Sequence, residues 1–259
     1  MRILTYLVLI VSLAACSSPP SPDTLVIGTI AGPETALIEV AKNVAEEKYG
    51  LTIKIVEFND YNLPNEALQD GSLDANVYQH LPYLKSAILT HGYDLQAIGR
   101  TFVYPMGIYS KKYKSLAALP KGAIIAVPND PSNELRAFIL LEQAHLIDVG
   151  NTNNTGMPEL DSNPHEFKFK EMDAAQLPRV LPDVDAAVIN TTFALPAGLS
   201  PAKDALFKEG KDSPYANIIV VKKDTVKRSQ LELFVKALNS DEVKAKAKSL
   251  FGDAAIPAW

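Results

Sequence analysis

Apolar, β-branched runs alternate with helix-periodic runs along the chain, and this alternation limits the fold more than any other feature. Thr24–Ile30 (TLVIGTI) reads as a strand. From Pro33, the apolar residues Ala36, Leu37, Val40, Ala41 and Val44 repeat at helical spacing until Gly50. Leu51–Val56 is the next strand, and Leu63–Asp70 is a short helix with Asn62 as its expected cap and Pro64 in its first turn. Ala75–Tyr78 is a strand, residues 82–90 form a helix that stops before Gly92, and Asp94–Ile98 is another strand. Strand–helix alternation of this kind predicts a mostly parallel sheet with helices on both faces.

The rhythm breaks at Thr101–Lys111 (TFVYPMGIYSK), an extended run with Pro105 and Gly107 at its middle, which suits a bend between lobes. Alternation then restarts: strand 123–127, helix 131–146, strands 167–170 and 186–189, strand 217–221, and amphipathic helices over 229–238 and 241–250. The polar stretch 150–164 reads as a surface loop, and Trp259 as a terminal ring docked on a lobe. The predicted architecture is bilobal α/β. Residues 24–104 with 217–259 form lobe 1, residues 105–216 form lobe 2, and extended crossovers join them around a cleft that closes like a hinge.

The N-terminus has a separate character. Met1–Arg2 is followed by the apolar run Ile3–Ala15 and by Cys16, the one cysteine. The run is too short for a membrane span and has the layout of a secretory signal. Leu13-Ala14-Ala15-Cys16 resembles a bacterial lipobox, which implies that residues 1–16 hold the signal and that Cys16 is acylated, with palmitate among the expected acyl groups, as residue one of the mature protein. Residues 17–23, opening with SSPPSP, are then a flexible tether to the membrane.

Several functions are excluded. A net charge of −5 argues against nucleic acid. GTIAG at Gly28–Gly32 lacks the spacing of a phosphate loop. A single cysteine permits no internal disulfide, and the four histidines lie in separate segments without metal spacing, so no metal and no cofactor are expected. No nucleophile elbow or acid–base pair is visible, so the chain is not expected to be an enzyme and has no candidate catalytic residue.

What remains is binding. In Phe58–Leu84 (FNDYNLPNEALQDGSLDANVYQHLPYL), the turns at strand ends carry Tyr61, Tyr78, His80 and Tyr83. Open α/β sheets bind ligands at the carboxyl ends of strands. Rings with polar tips suit a small amphipathic ligand there, although three tyrosines also serve as ordinary packing. In VPNDPSNELR, Asn129 or Asp130 caps a helix with Pro131 at its first position. Arg136 is unusual so near a helix N-terminus, where its fork could take a carboxylate or could simply lie exposed. Asn133 lies one turn earlier on the same face. Asn190 ends a strand and Asn217 begins one, positions that serve either a ligand's polar end or a turn.

Five segments in order carry a resemblance across almost the whole mature chain: FNDYNLPNEALQDGSLDANVYQHLPYL, TFVYPMGIYSKKYKSL, VPNDPSNELRA, AVINTTFA and SPYANIIVV. They resemble the methionine-binding lipoproteins of ABC importers, the NlpA/MetQ family. The resemblance implies two α/β lobes, a cleft for L-methionine, and partnership with a membrane permease and its ATPase. It implies that Tyr61, Tyr78, His80, Tyr83 and Tyr104 line a side-chain pocket and that Arg136 takes the α-carboxylate. Asn133, Asn190 and Asn217 would fix the polar end. The expected location is the membrane, through a lipid anchor, facing the periplasm or the cell exterior. The alternative ligand is another small amino acid or a methionine-containing dipeptide for the same kind of importer.

Overall fold

The structure, a computed structural model, describes residues 23–151, 157–210 and 212–259. Cys16, the signal, most of the tether and the centre of the 150–164 loop lie outside the described residues. In chain order, β1 (Thr24–Ile30), α1 (Pro33–Tyr49), β2 (Thr52–Phe58), α2 (Leu63–Gln69), β3 (Ala75–His80), α3 (Leu81–His91) and β4 (Leu95–Val103) come first. Next are β5 (Gly107–Tyr109), β6 (Ile124–Pro128), α4 (Pro131–Gln143), β7 (Asp148–Val149), β8 (Leu160–Ser162), β9 (Lys168–Met172), α5 (Leu177–Val180), β10 (Ala186–Ile189), α6 (Thr191–Ala194) and β11 (Phe207–Lys208). The chain ends with β12 (Ala216–Lys222), α7 (Arg228–Leu238), α8 (Asp241–Phe251) and β13 (Ile256–Pro257).

The strands form two main sheets, in the orders β13-β4-β12-β3-β1-β2 and β11-β5-β10-β6-β9, which are the sheets of two α/β lobes. Sheet membership changes between Val103 and Gly107 and again between Lys208 and Ala216. The first sheet departs from the expected mostly parallel arrangement. β1 runs parallel to β2 and β3, but β12 inserts antiparallel between β3 and β4, and β13 is antiparallel to β4. The cause is the return of the chain from the second lobe, which enters the first sheet from the cleft side.

Alternate residues of the central strands face opposite cores, as a pleated strand buried on both sides requires. Leu25, Ile27, Ile219 and Val221 pack with Leu37, Ala41, Phe234 and Phe251 of α1, α7 and α8. Val26, Ile218 and Val220 pack on the other face with Leu68 and Leu84 of α2 and α3. Gly28 belongs to this packing and not to a phosphate loop, because a Cβ there would meet Leu73 Cδ1 at 2.5 Å. The second lobe has its own core around Ile108, Ile125, Val127, Phe138 and Val188.

Two local expectations change. Asn62 makes no side-chain cap on α2; instead Asp60 Oδ1 accepts from the amides of Asn62 at 2.8 Å and Leu63 at 3.4 Å. The strand expected at Asp94–Ile98 continues to Val103 as β4, where β12 and β13 pair with it on either side. Trp259 meets Phe102 edge-on at 5.0 Å, and Ala258 N donates to Thr101 O at 2.9 Å. Among the described residues, no helix is long and apolar enough to cross a membrane.

Candidate binding site

The carboxyl ends of β1, β2 and β3 face the end of lobe 2 that carries α4, α6 and the end of β10. Between them lies a narrow pocket at the seam of the two lobes. All nine expected side chains line it: Tyr61, Tyr78, His80, Tyr83, Tyr104, Asn133, Arg136, Asn190 and Asn217. Gln79, Thr191 and Thr192 complete the wall.

One wall is aromatic. The rings of Tyr61, Tyr78 and Tyr83 sit 5.7–6.0 Å apart in tilted and edge-on pairs, and Phe193 of lobe 2 closes on Tyr61 at 4.8 Å. The hydroxyls of Tyr78 and Tyr83 both donate to Tyr61 O, at 3.2 and 2.8 Å. Behind this wall, the buried amides of Asn65, Asn76 and Gln79 bond to one another at 2.6–3.0 Å and tie α2 to β3. A satisfied buried network of this kind holds the strand end that presents Tyr78 and His80.

The other wall is polar. His80 caps α3, its Nδ1 accepting from Tyr83 N at 3.2 Å, so the ring proton sits on Nε2 and donates to Asn133 Oδ1 at 3.2 Å. Burial, aided by the nearby Arg136 charge, lowers the His80 pKa to about 3, and the ring stays neutral. Asn133 Oδ1 also accepts from Asn190 Nδ2 at 2.8 Å, while Asn133 Nδ2 donates to Asp130, the residue that caps α4. Asn190 Oδ1 is buried with no partner.

Arg136 is buried, which removes the reading of an exposed helix-face arginine. Its Nε and Nη2 donate to Glu209 Oε1 and Oε2 at 2.7 and 2.6 Å, Nη2 also donates to Tyr104 O at 3.0 Å, and the guanidinium stacks 4.4 Å over Tyr215. Glu209 was not expected from the sequence, and nothing in its neighbourhood marks it. Glu34 was not expected either; it stands in the first turn of α1, just past the end of β1, at a strand-to-helix junction like those that pointed to Tyr61 and His80.

Glu34 links the lobes. Its carboxylate accepts from Thr192 Oγ1 of lobe 2 at 3.1 Å and from Asn217 Nδ2 at 3.0 Å, and the Tyr104 hydroxyl bonds to it. Burial raises its pKa to about 7 against the opposing pull of these three donors. Asn62 Nδ2 donating to Asp173 at 3.2 Å makes a further contact between the lobes. Among the described residues, no group of three or more His, Cys, Asp or Glu side chains is placed to hold a metal.

Chemically, the arrangement can wrap a small ligand with an apolar, polarisable end against the tyrosines and a charged polar end against Arg136 and the asparagines. Comparison with known proteins points the same way. A sequence model of the NlpA lipoprotein family matches residues 25–259. A D-methionine-binding lipoprotein MetQ of Salmonella typhi is 46% identical over 253 residues, covering 96% of this chain and 93% of that protein. Among solved structures, a nutrient binding protein from Burkholderia cenocepacia bound to methionine superposes with a TM-score of 0.88 at 47% identity, over 91% of this chain and 100% of that one. A periplasmic substrate-binding protein of an ABC transporter from Coxiella burnetii superposes at 0.86 with 55% identity, over 90% and 100%.

Proposed function

The chain belongs to the NlpA lipoprotein family, and from that premise we propose that it captures L-methionine outside the cytoplasm and delivers it to an ABC importer. The family is one of substrate-binding transport proteins, and the chain is not an enzyme. The observation that carries the ligand assignment is the division of one cavity into a tyrosine wall and a polar wall built on Arg136. A thioether makes favourable contacts of about 0.3–1.5 kcal/mol at ring edges, and burying an apolar side chain of this size adds roughly 1.5–3 kcal/mol.

In this reading the thioether lies among Tyr61, Tyr78, Tyr83 and Tyr104. The α-carboxylate meets Arg136 from the side of Nη1, since Nε and Nη2 already serve Glu209 and Tyr104. Asn190 Oδ1 is an acceptor for the ammonium, with Asn133, Asn217 and His80 setting the shape of the polar end. Residues 24–104 with 217–259 close on residues 105–216, and the contacts from Glu34 to Thr192 and from His80 to Asn133 form on closure. Acylated Cys16 anchors the protein to the membrane, and the partners are the importer's permease and its ATPase.

Mass spectrometry of amino acids released on denaturing the purified protein, followed by calorimetry on stripped protein, tests the assignment. Release of methionine and tight binding of the L-enantiomer are expected. A different amino acid, or a dipeptide binding more tightly than methionine, overturns the ligand and leaves the transport role standing.

A further inference from the structure

Among the described residues that line the cavity, Arg136 alone bears a formal charge, and that charge is already matched from behind. Glu209 follows β11 and is buried with its side chain 7% exposed, against 4% for Arg136. Its two oxygens grip the Nε edge of the guanidinium at 2.7 and 2.6 Å, and Oε2 also accepts from Met106 N at 2.9 Å and Ser213 Oγ at 3.3 Å. Tyr215 against the flat face and Tyr104 O on Nη2 complete the hold, so the guanidinium has one fixed rotation. A lone buried guanidinium would be costly and would welcome any anion. Paired, it offers a directed donor with no net charge behind it.

We propose that Glu209 is the positioning and charge-setting residue of the site: it holds Arg136 by one edge and cancels its charge, so the cleft selects ligands carrying both an ammonium and a carboxylate over ligands carrying a carboxylate alone. A zwitterion adds no net charge to the closed cleft. An anion leaves one negative charge uncompensated within reach of Glu209, in surroundings where water screens little. The inference rests on the amino-acid reading of the cavity and adds to it the residue that enforces the zwitterion.

The test is the ratio of two affinities, measured by calorimetry on wild type and Glu209→Gln. The probes are L-methionine and γ-methylthiobutyrate, which has the same skeleton without the amino group. Wild type should strongly favour methionine. In Glu209→Gln, which keeps an acceptor on Nε but removes the negative charge, the preference should fall at least about tenfold, from the charge arithmetic at protein-like dielectric. A residue with a merely structural role would weaken both ligands in proportion, and a ratio that moves less than tenfold overturns the proposal. If Glu209→Gln does not fold, Arg136→Gln with and without Glu209→Gln carries the same comparison. Removing the orphaned carboxylate must again lower the preference for methionine by at least about tenfold, by the same charge arithmetic. If wild type takes another amino acid, the methionine assignment fails separately, and the ratio is read with that amino acid and its deamino analogue.

Discussion

Glu34→Gln removes a titrating group from the seam between the lobes while keeping the shape of the side chain. The Glu34 carboxyl is raised from 4.5 to about 7 by burial, despite donors from Thr192, Asn217 and Tyr104. The folded protein therefore holds this proton over a pH range in which the unfolded chain has released it. With a raised acid, the folded state pays no penalty below about pH 4.5, and the penalty grows as pH rises from there through about 7, above which it levels off. A shift of that size corresponds to on the order of 3 kcal/mol. Glutamine suits the site at either extreme. Its Oε1 accepts from Asn217, and its amide can donate to Thr192, whose hydroxyl turns to accept. Urea denaturation of both proteins from about pH 4 to pH 8 gives the difference curve in which other titrations cancel. Wild type should match the variant at the acid end and lose stability relative to it as pH rises, by on the order of 3 kcal/mol. A difference curve flat to within about 0.5 kcal/mol would refute the reasoning, since it would mean that Glu34 titrates alike in the folded and unfolded states.

Arg136→Ala strips the polar wall and leaves Glu209 buried without its partner, so it should lose both roughly a hundredfold or more in methionine affinity and about 3–5 kcal/mol in stability. Calorimetry giving less than a tenfold loss means the site is misplaced. Cys16→Ser removes the one cysteine and should move the protein from the detergent phase to the aqueous phase on partitioning; wild-type partitioning by the variant excludes the anchor. Competition calorimetry should rank L-methionine above norleucine and norleucine above methionine sulfoxide, with leucine weak. Tyr78 cannot soften the sulfoxide penalty, because its hydroxyl already donates to Tyr61 O, and a sulfoxide within threefold of methionine contradicts that geometry.

The features legible in the sequence are those whose cause is local. Tyr61, Tyr78, His80 and Tyr83 share a cavity because they stand where strands give way to helices, and that punctuation is written within a few residues by Pro64, Gly71 and Pro82. Arg136 was noticeable because it sits in the second turn of a helix whose start is marked by Asp130 and Pro131. The antiparallel insertion of β12 was not legible, because a strand's own pattern records that both faces are buried and not which neighbours it pairs with. The break at Tyr104–Met106 was legible, since Pro105 and Gly107 interrupt the extended run Thr101–Lys111 where the chain passes from β4 of one sheet to β5 of the other.

The two carboxylates that matter most in the site, Glu34 and Glu209, were missed for one reason. Each acts through a partner far along the chain: Glu209 is 73 residues from Arg136, and Glu34 is 158 from Thr192 and 183 from Asn217. In sequence, a glutamate near a helix start or after a short polar segment looks like a solvated surface charge, the ordinary role of such residues. Tertiary packing buries them, Glu209 against Arg136 within the second lobe and Glu34 against Thr192 across the seam, and burial is what turns an unremarkable charge into a counter-ion or a titrating seam. The Arg136–Glu209 pair lies within the second lobe, whereas Glu34 reaches its Thr192 partner only where the two lobes meet. Ligand affinity, stability and pH response should therefore change together at Glu34, and separately at Glu209, paired within its own lobe, and at Tyr61 or Tyr78, whose contacts with the rings and carbonyl of their own lobe persist however the lobes stand.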